Sequence, residues 1–466
     1  MDLPALTWGM LLDIAEWVIR AGALVVIPFR RKFTAAAWLL LIFFLPIPGL
    51  LLFLMIGQPR FPKGRIERFE LLRPAFDRVT KALSASKPDQ PSAVAAFCEK
   101  LGLFPATAGN QVELLDDYDA ALGRLVADID AAKERVFILV YIFADDKTGC
   151  SVIDALRRAV ARGVDCRVLI DPIGSIHWVR GTIDKLCAVG VNTRRTLPLR
   201  LLRGRTRRDM RNHRKLFIVD GQIGYAGSQN IVDKNFRPGV TNRELIARCT
   251  GPVVTAMEAV FLGDWFLETG TQPPDGIQLP APSGDAVLQL LPSGPEYPLE
   301  GFETLLVWQL HQAEKRAIIA TPYFIPDQDV IAAFRTAAAR GVEVDLVLSK
   351  VVDHPIVNLA QRSYYEALLH AGVRIHLFDD YLLHAKNVSI DGKLAIVGSS
   401  NVDLRSFQLN EEVSLLLYDT KSVADLEAIQ RRYIETSIAL KLDEWVRRGH
   451  PVQVLENLAR LVSPLL

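Results

Sequence analysis

Two copies of one short pattern constrain this chain more than anything else in it. His213, Lys215 and Asp220 form H-x-K-x4-D, and His384, Lys386 and Asp391 form it again. Gly227, Ser228 and Asn230 follow the first His at 14, 15 and 17 residues; Gly398, Ser399 and Asn401 follow the second at the same offsets. Asn242-Arg243-Glu244 then matches Asn410-Glu411-Glu412, and upstream Ala161-Arg162-Gly163-Val164 matches Ala339-Arg340-Gly341-Val342. Of the eight histidines, only these two sit in such a pattern. The chain therefore holds one unit twice, not an array of repeats with a period of about 20–50 residues. Two like halves are expected to pack about a pseudo-two-fold axis, with one composite site between them.

Within each copy a β-branched run leads to an Ala/Arg-rich helix that ends at Gly163 or Gly341, and a further apolar run follows. A glycine there can take the left-handed conformation that closes a helix. Strands alternating with helices predict βαβ units, hence an α/β fold with a largely parallel sheet. Asp220-Gly221 and Asp391-Gly392 append a hairpin to each copy, because Asp-Gly suits a turn with positive φ at both central residues. The expected organisation is a membrane-anchoring helical hairpin over 1–58, a juxtamembrane linker over 59–110, a first half over 111–275, and a second half with C-terminal helices over 276–466.

The anchor rests on Ala35 to Gly57, 23 residues without a charge, long enough to span a bilayer core of about 30 Å. Pro46 and Pro48 are expected to kink that helix. The preceding stretch carries Asp13, Glu16 and Arg20 on one face, with Glu16 and Arg20 spaced as an i,i+4 pair. It is expected to span with this stripe turned inward, the alternative being an amphipathic helix at the interface. Both flanks of the apolar run are basic, so the positive-inside rule gives no orientation. A net charge of +1 argues against a protein built mainly to coat nucleic acid. Five cysteines without a C-x-x-C pair read as free thiols, which suits a reducing compartment. From Arg194 to Lys215 there are nine arginines and one lysine against a single acid, Asp209. Such a concentration of charge suits anionic lipid headgroups.

Residues i and i+2 of a strand share a face, so each motif sets an imidazole beside a fixed cation. One copy alone is equally well a solvated strand followed by an ordinary turn; the repetition favours chemistry. The paired motifs resemble the phospholipase D superfamily. Within it, "NHRKLFIVDGQIGYAGSQNI", "TPYFIPD", "LHAKNVSIDG" and "GSSNVDLRSFQLNEE" resemble the bacterial cardiolipin synthases, and the similarity covers nearly the whole chain.

That resemblance implies two phospholipase D-like αβ halves and a phosphatidyltransferase. A phosphatidyl group would pass from one phosphatidylglycerol to the primary hydroxyl of another, giving cardiolipin and glycerol. The resemblance implies His213 as nucleophile, forming a phosphatidyl-histidine, and His384 as general acid/base; spacing alone does not order the two. One imidazole must be neutral to attack, while its partner carries the proton for the leaving alkoxide. Lys215, Lys386, Asn230 and Asn401 would bind phosphate oxygens, with hydroxyls of Ser228 and Ser399 as further donors. Glu244 and Glu412 would each hold an imidazole by its other nitrogen. Asp220 and Asp391 enter as motif members, although their place in a turn suggests that they orient the hairpin. No cofactor or metal is expected: the lysines already neutralise phosphate, and the His pair lacks a third ligand. Hydrolysis to phosphatidic acid, a mixed donor such as phosphatidylethanolamine, and a nucleic-acid phosphodiesterase stay open as alternatives. The expected partners are anionic phospholipids and the membrane rather than nucleic acid, and the expected location is a bacterial inner membrane, multi-pass. Oligomeric state and the membrane face of the site are not specified.

Overall fold

The structure, a computed structural model, describes residues 7–30, 35–57, 61, 63–198, 210–276 and 278–462. Its centre is one sheet of fifteen strands. From the middle outward, the first half contributes Thr107–Leu115, Ile246–Thr250, Ile223–Gly227, Leu216–Val219, Arg135–Val140, Asp165–Ile170 and Asn192–Arg195. The second contributes Ala286–Ser293, Glu412–Leu417, Leu394–Gly398, Asn387–Ile390, Arg316–Ala320, Glu343–Ser349 and Arg374–Phe378, with Ser437–Ala439 at its edge. The two lists run through matching elements in matching order. They meet where Thr107–Leu115 pairs antiparallel with Ala286–Ser293.

The expectation of a largely parallel sheet is corrected. Only the three outer strands of each half's βαβ run are parallel. The hairpins, the strands Ile246–Thr250 and Glu412–Leu417, and the central pair are all antiparallel. Crossover helices can join only the outer strands, and the short turns at Asp220 and Asp391 force reversal. The predicted helix ends hold: Gly163 and Gly341 have φ of 88° and 89°.

Alternate residues of each strand face opposite layers. Phe137, Leu139 and Ile218 of the first half and Ile318, Val397 and Leu415 of the second share one continuous core. The helices Val253–Thr269 and Thr420–Glu435 cover that core. On the other face each half keeps its own core, around Ile138 and Val168 in one and Ile319 and Leu346 in the other. One shared layer and two separate ones make the halves a single body.

Five α-helices precede the sheet: α1 (Trp8–Arg30), α2 (Ala35–Phe44), α3 (Pro46–Ile56), α4 (Lys63–Leu83) and α5 (Ala93–Gly102). The run expected to cross a bilayer as one kinked helix is two helices of 10 and 11 residues, each about 15–16 Å long at 1.5 Å per residue. Leu45, at φ −130° and ψ 74°, breaks the helix ahead of Pro46. The chain then turns back on itself. Ile42 meets Gly49, where a Cβ would come within 3.0 Å of Ile42, and Trp38 meets Phe53 with ring centroids 5.3 Å apart. Contacts that step back along one helix as they step forward along the other define an antiparallel hairpin. Among the described residues no helix is long and apolar enough to cross a membrane, so the spanning and multi-pass expectations are corrected. The physical cause is the Leu45–Pro46 break in one segment and the charged stripe in α1. In that stripe Arg20 pairs with Glu16 at 3.0 Å and donates through Nε to the Phe43 carbonyl at 3.0 Å. Trp8, Trp17, Val25, Phe44 and Leu51 of this unit are exposed.

α4 lies within the stretch expected to be a linker, yet it is part of the core. Phe69, Leu72 and Phe76 pack into the shared layer. Arg65 is buried against Glu268 at 2.7 Å, Glu296 at 3.2 Å and Glu411 at 2.5 Å.

Candidate active site

The site is assembled by an exchange between the halves. The residues leading into the strand Leu216–Val219 run beside the N-x-E segment of the other half: His213 N–H donates to the Glu411 carbonyl at 2.8 Å, and Glu411 N–H donates to the Arg211 carbonyl at 2.9 Å. The reciprocal pairing sets Leu382 and Leu383 parallel to Asn242 and Arg243, and His384 N–H donates to the Arg243 carbonyl at 2.8 Å. Each glutamate that ends an N-x-E segment therefore reaches the histidine of the opposite half. His213 Nδ1 lies 3.0 Å from both oxygens of Glu412. His384 Nδ1 lies 2.7 Å from Glu244 Oε1. With Nδ1 held, Nε2 of each ring is left for chemistry.

Both imidazoles open on a cavity of about 460 Å³, whose wall includes Asn230, Asn401, Tyr141 and Tyr323. Asn230 Oδ1 accepts the Ile142 N–H at 3.0 Å, leaving its amide N–H groups as donors. Lys215 and Lys386 are buried behind the rings, each donating to the carbonyl of the histidine two residues before it. The side chains of the six residues His213, Lys215, Asn230, His384, Lys386 and Asn401 are thus brought to one place.

The serines and aspartates of the motifs are elsewhere. Ser228 Oγ is engaged by the Leu245 backbone, at 3.1 Å to its carbonyl and 3.0 Å from its N–H. Ser399 Oγ accepts the Val413 N–H at 3.0 Å and donates to Glu412. The two hydroxyls brace the glutamate segments and do not line the cavity. Asp220 caps three successive N–H groups, of Lys133, Glu134 and Arg135, at 2.8–2.9 Å. Asp391 does the same for Glu314, Lys315 and Arg316 at 2.8 Å. Both sit at φ 54°, followed by Gly221 and Gly392 at φ 62° and 66°. A carboxylate committed to a turn and its neighbouring strand cannot also reach the cavity, so their inclusion among catalytic residues is corrected to a structural role.

Burial dominates the electrostatics. His213 is held well below its ordinary value by burial first, then by the charges of Lys215, Lys386 and Arg405. Burial lowers His384 to about 4, with Glu244 opposing it. Burial also lowers Lys215 to about 7 and Lys386 to about 8. The glutamates differ. Burial pushes Glu412 up to about 7 against Lys215 and the hydrogen bonds from Ser399 and Asn410. At Glu244 burial is outweighed by His384 and Lys386, so its carboxylate sits below the ordinary value. The two like histidines thus have unlike supports, and His384 is backed by the firmer anion.

Several site residues carry no trace in the paired motifs. The Tyr141 ring meets His213 edge-on at 4.7 Å, and Tyr323 meets His384 at 6.5 Å. Each precedes the aspartate that caps a matching helix, Asp146 or Asp327, a shared placement that could have drawn attention to them. Arg214 pairs with Asp264 at 2.6 Å, and Arg211 with Asp171 at 2.7 Å, both fully buried behind His213. Two arginines of the basic stretch are therefore internal rather than lipid-facing. Residues 199–209 of that stretch lie outside the described residues. Among the described residues no cluster of three His, Cys, Asp or Glu side chains is arranged to hold a metal.

A family model described as the PLD-like domain of cardiolipin synthase matches residues 125–265 and 306–434. Cardiolipin synthase A of Erwinia tasmaniensis is 35% identical over 477 residues, covering 98% of this chain and 98% of that protein. The protein of the same name from Pectobacterium carotovorum is 34% identical with the same coverage. Among solved structures, phosphatidylserine synthase of Haemophilus influenzae aligns with 76% of this chain and 95% of its own, at a TM-score of 0.58 and 17% identity; that likeness concerns the fold. Matched in both copies of its motif and along nearly its whole length, the chain belongs to the cardiolipin synthase family of the phospholipase D superfamily.

Proposed function

We propose that this protein is a phosphatidyltransferase that makes cardiolipin and glycerol from two molecules of phosphatidylglycerol. The observation that carries the reading is the crossed pair of Glu–His contacts at one cavity. His213 Nε2 attacks phosphorus of the first lipid, the bond from phosphorus to the glycerol oxygen breaks, and His384 gives that oxygen its proton. The product of this step is glycerol and a phosphatidyl group on His213. His384, now neutral, takes the proton from the primary hydroxyl of a second phosphatidylglycerol. Its oxygen attacks phosphorus, the P–N bond breaks, and both imidazoles return to their first state. Lys215 and Lys386 with the amides of Asn230 and Asn401 hold the phosphate oxygens while charge develops on them. Arrival of the anionic phosphodiester raises His384, already backed by Glu244, toward its protonated form. Family resemblance and this uneven backing support His384 as acid and His213 as nucleophile.

The two halves, over 111–275 and 276–466, are related in this reading by a pseudo-two-fold axis through the central strand pair. The exposed apolar faces of α1, α2 and α3 exceed what a soluble surface carries. They lie in the bilayer, the α2–α3 hairpin entering and leaving on one side, since each helix reaches about half of a 30 Å core. A bacterial inner membrane is the proposed location, anionic phospholipids rather than nucleic acid the partners. Purified protein in vesicles is given acyl-labelled phosphatidylglycerol and the lipids are separated. Cardiolipin formed in step with free glycerol is expected. Phosphatidic acid as the sole product means a hydrolase; an inert lipid with DNA cleaved instead means a nuclease.

A further inference from the structure

The cavity wall holds polar atoms that the chemistry above leaves idle. The side-chain oxygens of Asn242 and Asn410, like that of Asn401, whose amide N–H groups face the phosphate in this reading, have no hydrogen-bond partner among the described residues, although Asn242 and Asn410 are only 6% and 7% exposed and both line the cavity. Buried acceptors are almost always satisfied, so an idle one facing a binding cavity points to a donor on the ligand. The two are matched residues, two positions before Glu244 and Glu412. They differ in setting. Asn410 donates to Glu412 Oε1 at 3.4 Å and so belongs to the His213 support. Asn242 stands beside Leu382 in the short parallel pairing that delivers Glu244 to His384. Side chains two apart in an extended segment share a face, so Asn242 projects with Glu244 toward the acid side of the cavity.

The donor that Asn242 awaits can be narrowed by charge. A phosphate oxygen is an acceptor and is repelled. An ammonium headgroup would enter a cavity with Arg237 and Arg405 on its wall and the buried Lys215 and Lys386 behind the rings. A neutral hydroxyl is left. We infer that Asn242 accepts a hydrogen bond from a free hydroxyl of the glycerol headgroup, and so makes the site select a polyol over a simple alcohol. The inference deepens the transfer reading and rests on it. In that reading the departing glycerol and the glycerol of the incoming lipid occupy the same place, opposite His213 and next to His384. One side chain there screens both alcohols.

The test is a competition within one reaction, whose outcome does not depend on how much enzyme is folded. Full-length protein in phosphatidylglycerol vesicles receives labelled glycerol and 1-propanol together, and labelled phosphatidylglycerol is measured against phosphatidylpropanol. Wild type is expected to favour glycerol. Asn242→Leu is expected to lower the glycerol-to-propanol ratio roughly tenfold, the loss of one accepted hydroxyl hydrogen bond in a buried site, while Asn410→Leu leaves the ratio within about twofold of wild type. An unchanged ratio in Asn242→Leu overturns the inference, as does a shift confined to Asn410→Leu. Wild type that makes only phosphatidic acid, with neither alcohol taken up, overturns the transfer reading itself and the inference with it.

Discussion

At the scale of single residues, the crossed glutamates make each histidine of the proposed mechanism answerable to the other half of the chain. Glu412→Gln disturbs His213 and Glu244→Gln disturbs His384, so either change should lower kcat by about a hundredfold, in the range of positioned acid–base catalysis. Release of labelled glycerol measures it, and an unaffected Glu244→Gln enzyme contradicts the proposed support of the acid. The buried lysines set the alkaline limit. Lys215 at about 7 and Lys386 at about 8 lose their protons as pH rises, and with them the charge that holds phosphate. Since kcat/KM reports the free enzyme, it should fall between pH 7 and 9, and Lys215→Arg, which leaves only the higher Lys386 to titrate, should move that limb upward. The aspartates behave otherwise: Asp391→Ala removes a cap on three backbone N–H groups, a loss of about 1–3 kcal/mol. Its melting temperature should drop while kcat of the folded enzyme stays within about threefold of wild type. Sequence alone made His213, Lys215, His384 and Lys386 legible as candidates through the repeated spacing, although each pair lies just ahead of its strand, Leu216–Val219 or Asn387–Ile390, and not on it. It could not tell a catalytic aspartate from a capping one, because both read as D-G, nor show which glutamate meets which histidine, because that depends on pairing across 140 and 199 residues of chain.

At the scale of elements, α4 is tied to the site through Arg65. Arg65 leaves three buried carboxylates behind if it is lost, and breaking a buried ion pair from one side costs roughly 3–5 kcal/mol. Arg65→Ala should therefore lower the urea midpoint well below that of exposed Arg73→Ala, measured by tryptophan fluorescence. Equal midpoints would show that the buried cluster relaxes or neutralises at little cost. Glu411 is part of this cluster and its backbone pairs with His213, so the same change should also reduce activity in what remains folded. The helices and the hairpin turns were legible from glycine placement and Asp-Gly pairs. Strand direction was not: β-branched runs look alike in parallel and antiparallel pairing. The apolar run Ala35 to Gly57 has the composition of a span, and only the backbone break at Leu45 divides it.

At the scale of the whole molecule, the repeated sequence becomes two runs of strands meeting at Thr107–Leu115 and Ala286–Ser293, with the residues of the proposed mechanism shared between them. Duplication was visible from the motifs, and a composite site followed from it. The exchange of N-x-E segments was not visible, since matched segments could equally have served their own halves. In the proposed reaction this near-symmetry is broken by chemistry, one histidine carrying the phosphatidyl group and the other the proton. The most direct measurement is to quench the enzyme with detergent at mildly alkaline pH, where a P–N bond survives, during turnover of acyl-labelled phosphatidylglycerol and map the label by mass spectrometry. A phosphatidyl group on the peptide bearing His213, absent from His213→Ala and formed more slowly in His384→Ala, is the predicted result. Label on His384, or cardiolipin made by His213→Ala at the wild-type rate, contradicts it.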